Sequence, residues 1–406
     1  MARSLDSSTV SVGAGLLPEQ ARGLEAGSTA TGGREHNRVL AIDAVRGTAM
    51  LFVGISHTRY YVGADHHIAS LLKWIGYLAA PAFLLVSGIA CGYQYSKSTS
   101  RETVGRIVDR GLFVLVVGHI LVCLSLWFEV KGNVFEHIVI TDTIGLCICL
   151  SPLVRHLSAR QLIVEGIAVF LVTCLVAAFW QPSSAPGKLF GALLFSIDSN
   201  DLRARGWVTP TVAYFGFFLI GMGIGRLIGE RQAGKMWRLE GLASRLVFAG
   251  TVAVAAAVTV NVLRHFAKPS LLEAIASGGQ WASALLKATD VRQQLPPMPA
   301  YAAYYCGIAI AGLGGVMRLL QRAQTPLLAG PVQVAAVVGR ASFISYVVVQ
   351  WLVDFLPHWI GFGAVLTPVS ALLYLALVMA VVFLIAGAWD RMRANRYLTF
   401  GLISAR

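Results

Sequence analysis

Residues 42–57 read Ile-Asp-Ala-Val-Arg-Gly-Thr-Ala-Met-Leu-Phe-Val-Gly-Ile-Ser-His. The stretch is apolar enough to lie in a bilayer, yet it carries Asp43, Arg46 and His57. An ionised side chain at the centre of a membrane helix costs about 2.5–3.5 kcal/mol or more, so such groups come with a partner or a task. At about 100° per residue, the path from Arg46 to His57 completes about three turns and places both side chains on one face, about 16 Å apart along the axis. Asp43 precedes Arg46 by three residues, the spacing of an ion pair on that face. One helix thus presents a paired guanidinium near one membrane surface and an imidazole deeper inside.

The rest of the chain agrees with a membrane setting. Of its 406 residues 56% are hydrophobic and 13% charged, with a mean hydropathy of +0.68. Soluble domains carry about 25% charged residues. The formal net charge of +13 would fit a nucleic-acid binder if the basic residues formed a stripe. They sit instead in short loops between apolar segments, where they set orientation, so nucleic acid is excluded as a partner. The six cysteines (Cys91, Cys123, Cys147, Cys149, Cys174, Cys306) lie in or beside apolar segments, with no CxxC pair and no zinc-ligand spacing. They read as buried small apolar residues, and no metal site is expected.

A crossing helix needs about 20 mostly apolar residues. Ten stretches qualify: 41–62, 71–95, 107–128, 138–154, 161–180, 209–229, 244–263, 300–320, 334–356 and 364–389. The expected fold is therefore all-α, a polytopic membrane protein with about ten transmembrane helices. The segment 188–197 is apolar but too short, and reads as re-entrant or interfacial. With the N-terminus inside, the alternate loops that become cytoplasmic hold most of the loop Lys and Arg, which places both termini in the cytoplasm. Residues 1–37, rich in Gly, Ser, Ala and Glu, read as a disordered cytoplasmic tail rather than a signal peptide. Residues 38–392 form one transmembrane domain, and 393–406 a short basic cytoplasmic tail. Two longer external loops, 181–208 and 264–299, stand where an acceptor site would be shaped. The second ends in Leu-Pro-Pro-Met-Pro (295–299), a stiff entry to the next span.

Several motifs resemble a known family. Asp43-x-x-Arg46-Gly47 followed by His57 resembles the opening motif of the acyltransferase-3 superfamily of integral membrane acyltransferases. That group includes O-acetyltransferases of bacterial polysaccharides and glucan succinyltransferases, with a related branch that resembles the heparan glucosaminide acetyltransferases. Pro81-Ala-Phe-Leu-Leu-Val-Ser87-Gly88 is similar to the end of the family's second span, and Arg106-Ile-Val-Asp109-Arg110 to the basic start of the third. Thr143-Ile144-Gly145-Leu146 resembles the fourth span of the heparan-type branch. Gly339-Arg340-Ala-Ser342-Phe-Ile-Ser-Tyr346 is similar to a late Gly-Arg-x-Ser motif. The likeness runs from residue 38 to about 390. It departs at Ile89 and Ala90, where the family carries an aromatic, and in having no appended esterase-like domain.

The resemblance implies an enzyme of the bacterial inner membrane that moves an acetyl or short acyl group from cytoplasmic acyl-CoA to a carbohydrate or lipid-linked glycan, as in polysaccharide O-acetylation. Acetyl-CoA or succinyl-CoA would be the co-substrate, with no permanently bound cofactor. Such chemistry needs guanidinium groups for the donor phosphates, a base or nucleophile and exclusion of water. Arg46, Arg106 and Arg110 stand where the donor arrives, with Asp43 holding Arg46. His57 is the base or acyl carrier, but the heparan-type branch keeps its reactive histidine in the first external loop, where His66 and His67 lie here. Both placements stay open. Asp142 and His119, in neighbouring spans, are candidate partners that orient His57, while Glu165 and Asp354, near span ends, read as structural. Two other readings compete: a multi-pass transporter of a small molecule or glycan precursor without chemistry, which ten spans would suit, and a haem protein using His57 and His119 as ligands.

Overall fold

The computed structural model describes residues 40–62, 67–128, 133–195, 209–232, 237–267, 277, 280–322, 326–361 and 366–402. The tail 1–37, His66 and residues 403–406 lie outside them. Thirteen helices carry the described fold. They are α1 (Leu40–Thr58), α2 (His67–Lys97, turning at Tyr77–Leu78), α3 (Arg101–Ser125), α4 (Ile140–Val154), α5 (Ala159–Phe179) and α6 (Ala185–Phe195). After them come α7 (Thr211–Gln232), α8 (Trp237–Phe266), α9 (Gln280–Ala288), α10 (Pro299–Arg322), α11 (Pro326–Arg340), α12 (Ser342–Trp359) and α13 (Pro368–Arg391).

Eight of these are long and apolar enough to cross a membrane, and α11 with α12 meets the same measure only when taken together, as a pair bent by 82°. The protein is an all-α polytopic membrane protein. Two expected spans differ in detail. Segment 138–154 folds as the short helix α4, below the length of a straight crossing. Segment 334–356 is not one rod: the chain breaks at Ala341, which hydropathy alone does not register. The apolar stretch 188–197 falls on the short helix α6.

Helix ends follow local chemistry. Ser158 and Gln161 close a reciprocal capping box at the start of α5, with Gln161 Oε1 accepting from the Ser158 N–H at 2.8 Å. Thr367 accepts from the Ser370 N–H and Pro368 takes the first position of α13, where its missing N–H costs nothing.

Small residues set the crossings. In lipid there is no hydrophobic drive between helices, so close backbone packing carries association. Helices α2 and α7 meet through Gly88 and Gly92 on one side and Gly221 and Gly225 on the other, each facing the other helix's backbone. Helix α1 meets α11 in the same way. A Cβ on Gly47 would overlap the Ala335 carbonyl, and a Cβ on Gly339 would overlap the Asp43 carbonyl. Helices α1, α2 and α7 are mostly buried at the centre, whereas α5, α8 and α13 turn most of their surface outward as lipid-facing helices do.

Between α9 and α10 the loop is fastened by Asp290. Its carboxylate meets Arg264 Nη1 at 2.8 Å and accepts from the Arg292 N–H at 2.9 Å. Burial pushes the Asp290 carboxyl up, but hydrogen bonds from Arg264 and Arg292 outweigh it and hold it below the usual carboxylate range. The stabilisation is therefore complete above the unfolded carboxylate value and disappears as pH falls through the lowered folded one.

Two outcomes are expected of the purified protein in detergent. Gly47→Ala and Gly339→Ala should each lose about 1–3 kcal/mol of stability by overpacking, seen as a lower melting temperature. Gly312→Ala, where a Cβ meets nothing within 4 Å, should leave it unchanged or raise it. Asp290→Asn should melt earlier than the parent at neutral pH, and the difference should begin to shrink as pH falls through about 4 and close only below the lowered folded value of the Asp290 carboxyl.

Candidate functional site

Two neighbouring cavities lie within the helix bundle. The smaller, of about 190 Å³, is lined by His57, Ser56 and Arg59 from the end of α1 and its extension. Tyr346, Gln350 and Asp354 from α12 complete it, with Gln294 and Leu295 from the loop that Asp290 fastens. The larger, of about 1010 Å³, is lined by Asp43 and Arg46 from α1, Arg106 and Arg110 from α3, Arg340 at the end of α11, and Arg396 beyond α13. Phe83, Ile140 and Tyr346 line both. The cavities meet at these three side chains, with Phe83 and Tyr346 edge-on at 6.4 Å between ring centres.

In the small cavity His57 Nδ1 lies 3.1 Å from both oxygens of Asp354. Asp354 belongs to a five-residue π turn, Trp351–Phe355. Such a turn displaces carbonyls from helical partners, and here side chains receive them. Tyr374 Oη donates to the Leu352 carbonyl and Tyr61 Oη to the Val353 carbonyl, both at 2.5 Å. The His358 ring nitrogen Nδ1 lies 2.6 Å from the Asp354 carbonyl oxygen. The wide turn is thereby held in place, as π turns at functional sites often are, and it presents its carboxylate to His57.

Asp354 was not legible as the partner of His57. A lone Asp in Val-Val-Val-Gln-Trp-Leu-Val-Asp (347–354) carries no sequence link to a histidine almost 300 positions away; its one sequence signal is a carboxylate within an apolar run. The expected partners, Asp142 and His119, instead find each other. His119 Nδ1 lies 3.0 Å from Asp142 Oδ2, which also accepts from the Val139 N–H at 2.9 Å. Asp142 is the third residue of α4, so its carboxylate caps that helix, and His119 follows directly on the π turn Val114–Gly118 of α3. Neither residue lines either cavity. His67 is the first residue of the first segment of α2; it is exposed and lines neither cavity.

The large cavity is cationic. Arg46 Nη1 lies 3.4 Å from Asp43 Oδ1. Arg106 and Arg110 reach the cavity from the start of α3, where Arg106 is half-exposed and 3.8 Å from Glu102. Arg340 and Arg396 join them without having been singled out as site residues in the sequence. Arg340 forms a two-pronged pair with Asp390, Nε to Oδ1 at 3.0 Å and Nη2 to Oδ2 at 2.7 Å, the strong geometry for a guanidinium and carboxylate. The segment after α13 folds back over this end. Asn395 Nδ2 donates to the Arg340 carbonyl at 2.6 Å, and both Asp109 oxygens accept from backbone, the Phe400 N–H at 2.9 Å and the Leu402 N–H at 3.2 Å. Residues of the expected basic tail thus form part of the cavity wall. Among the described residues no His, Cys, Asp and Glu group could hold a metal ion.

The arrangement therefore pairs a cluster of guanidiniums, suited to phosphate anions, with a carboxylate-held imidazole, suited to proton transfer. Phe83, Ile140 and Tyr346 stand between them. No curated protein matches the chain. A comparison with protein families matches residues 38–256 to the heparan-alpha-glucosaminide N-acetyltransferase catalytic family. The match spans just over half of the chain and includes Asp43, Arg46 and His57, while Arg340, Gln350 and Asp354 lie beyond it. It corrects the broader expectation, since it supports this related family and not the acyltransferase-3 superfamily as such. The helix that opens the domain, the paired cavities it joins and the matched pattern lead to one conclusion: the chain belongs to the heparan-alpha-glucosaminide N-acetyltransferase catalytic family and is a membrane acyltransferase.

Proposed function

We propose that the protein transfers an acetyl group from acetyl-CoA, bound in the guanidinium-lined cavity, to an amino or hydroxyl group of a glycan entering the His57 cavity from the opposite membrane face. The observation that carries this reading is the meeting of the two cavities at Phe83, Ile140 and Tyr346. The donor phosphates rest among Arg46, Arg106, Arg110 and Arg396, with Arg340 fixed by Asp390. The rise of about 16 Å from Arg46 to His57 is comparable to the reach of a pantetheine arm, so the thioester arrives at the junction. Phe83 and Ile140 keep water from it there.

His57 acts as general base through Nε2, with Asp354 receiving the Nδ1 proton as a hydrogen bond and stabilising the imidazolium as it forms. The acceptor nitrogen or oxygen loses its proton to Nε2 and bonds to the thioester carbonyl carbon. The carbon–sulfur bond breaks, and the leaving coenzyme A thiolate recovers the proton from the imidazolium. The positive loop residues support a cytoplasmic N-terminus; in that orientation the guanidinium cavity is the inner one and the loops carrying Thr209 and Gln294 are external. The family's name supports acetyl over succinyl and an amine over a hydroxyl acceptor.

Membranes holding His57→Ala should lose acetyl transfer from labelled acetyl-CoA to glycan by about 10²–10⁴-fold, the usual range for a lost general base. Asp354→Asn should move the same way, while His67→Ala keeps its activity. Full transfer by His57→Ala would reject this assignment. Arg46→Lys replaces a two-pronged donor with a point charge, so its acetyl-CoA dissociation constant should rise by about tenfold, measured by titration of the purified protein. An unchanged constant would remove Arg46 from the donor site.

A further inference from the structure

We infer that Asp109 is a positioning residue for the donor: it latches the segment after α13 against the guanidinium cavity, where Arg396 of that segment and Arg110 together take up donor phosphate. The inference rests on the acyltransferase reading above and adds to it a strap and the residue that holds the strap down.

The cavity arginines are of two kinds. Arg46, Arg106 and Arg340 each have a carboxylate beside them, from Asp43, Glu102 and Asp390. Among the described residues Arg110 and Arg396 meet none. Arg110 Nη2 donates to the Asn395 carbonyl at 3.3 Å. Arg396 Nη2 donates to the Tyr397 hydroxyl at 2.6 Å, with its guanidinium 4.7 Å from the centre of that ring. These partners are neutral, so both charges remain uncompensated. Both side chains line the large cavity, and the Arg110 contact is to the residue next to Arg396. Two adjoining cations without a carboxylate suit an anion shared between them, and guanidiniums favour phosphate.

Like charges repel, so the segment that carries Arg396 needs a restraint. The last turn of α13 leads into Arg393, whose left-handed backbone (φ 50°) is uncommon for a residue with a side chain. Beyond it the chain is gripped by Asp109, which lines the same cavity and is only 3% exposed. A carboxylate in a phosphate site would repel the ligand. Here both of its oxygens accept from backbone, the Phe400 and Leu402 N–H groups. The Phe400 ring packs 5.5 Å from that of Phe113 on α3. Packing alone would be met by an apolar side chain without the negative charge, whereas gripping two N–H groups takes two acceptor oxygens. Phosphate bound between Arg110 and Arg396 removes their repulsion and tightens the strap.

The test uses full-length protein in detergent, titrated with acetyl-CoA and with adenosine 3′,5′-bisphosphate, a probe with phosphates and no thioester. Asp109→Asn should raise both dissociation constants by about tenfold. Arg396→Ala should do the same, and adding it to Asp109→Asn should cost little more, because both act through one strap. Leu402→Pro removes one of the two N–H donors at an exposed position, leaves Asp109 untouched, and should raise both constants in the same direction; it carries the test if Asp109→Asn fails to fold. In wild type the bisphosphate should slow hydrogen exchange at the Phe400 and Leu402 amides. A purely structural role lowers the melting temperature and lets the two substitutions multiply. Multiplying effects, parental constants in Asp109→Asn, or a weakening confined to acetyl-CoA overturn the inference and leave acyl transfer standing. A wild type that binds acetyl-CoA without binding the bisphosphate overturns it too. A wild type that binds neither rejects the donor-cavity reading and this inference with it.

Discussion

The contact between Gly47 and Gly339 sets the distance on which the arginine cavity depends. Each glycine lies against the other helix's backbone, so α1 and α11 approach as closely as two helices can. The residue before one glycine is Arg46 and the residue after the other is Arg340. Two guanidiniums are thereby fixed beside one cavity although their sequence positions lie far apart. Like charges do not gather unaided, and Asp43 and Asp390 stand at the places where the concentration of positive charge would otherwise be most costly. Helix α11 packs on α1, and after the 82° bend α12 carries Tyr346, Gln350 and Asp354 along the small cavity.

A second constraint acts at the other end. Two wide helical turns, one in α3 and one in α12, each lie next to or contain half of a histidine–aspartate pair. The pairs have similar geometry and different surroundings. His57 and Asp354 border a cavity, whereas His119 and Asp142 are tied to a helix start and border none. Of the two pairs, the first alone borders space that a ligand could enter. The other reads as a fastening between α3 and α4, where the carboxylate also caps its own helix.

Much of this was legible in residues 42–57, and for a physical reason. An amphipathic signal within one helix depends only on local spacing, so the shared face of Arg46 and His57 could be read before any fold was known. The glycine in Arg46-Gly47 and the one in Gly339-Arg340 appeared as parts of two unrelated motifs, and only the structure shows them as the two halves of one contact. Asp354 was hidden because a carboxylate within an apolar run does not announce which of several buried histidines it meets. Asp142 was the more attractive partner in the sequence, and its own backbone and His119 claim it first. The break at Ala341 was invisible because hydropathy averages over a bend. The length of α4 was overread because flanking Ile138 and Val139 extend the apolar run without being helical.

The backbone grip of Asp109 on Phe400 and Leu402 bears on how the protein matures. The wall that Asn395 and Arg396 contribute is made only after α13 has left the ribosome, while Arg46 and Arg110 are synthesised hundreds of residues earlier. A nascent chain inserted up to α13 would hold an open, strongly positive recess facing the aqueous phase. Residues 394–402 then close that recess into a shaped compartment, so the cavity takes its form only after α13 is made.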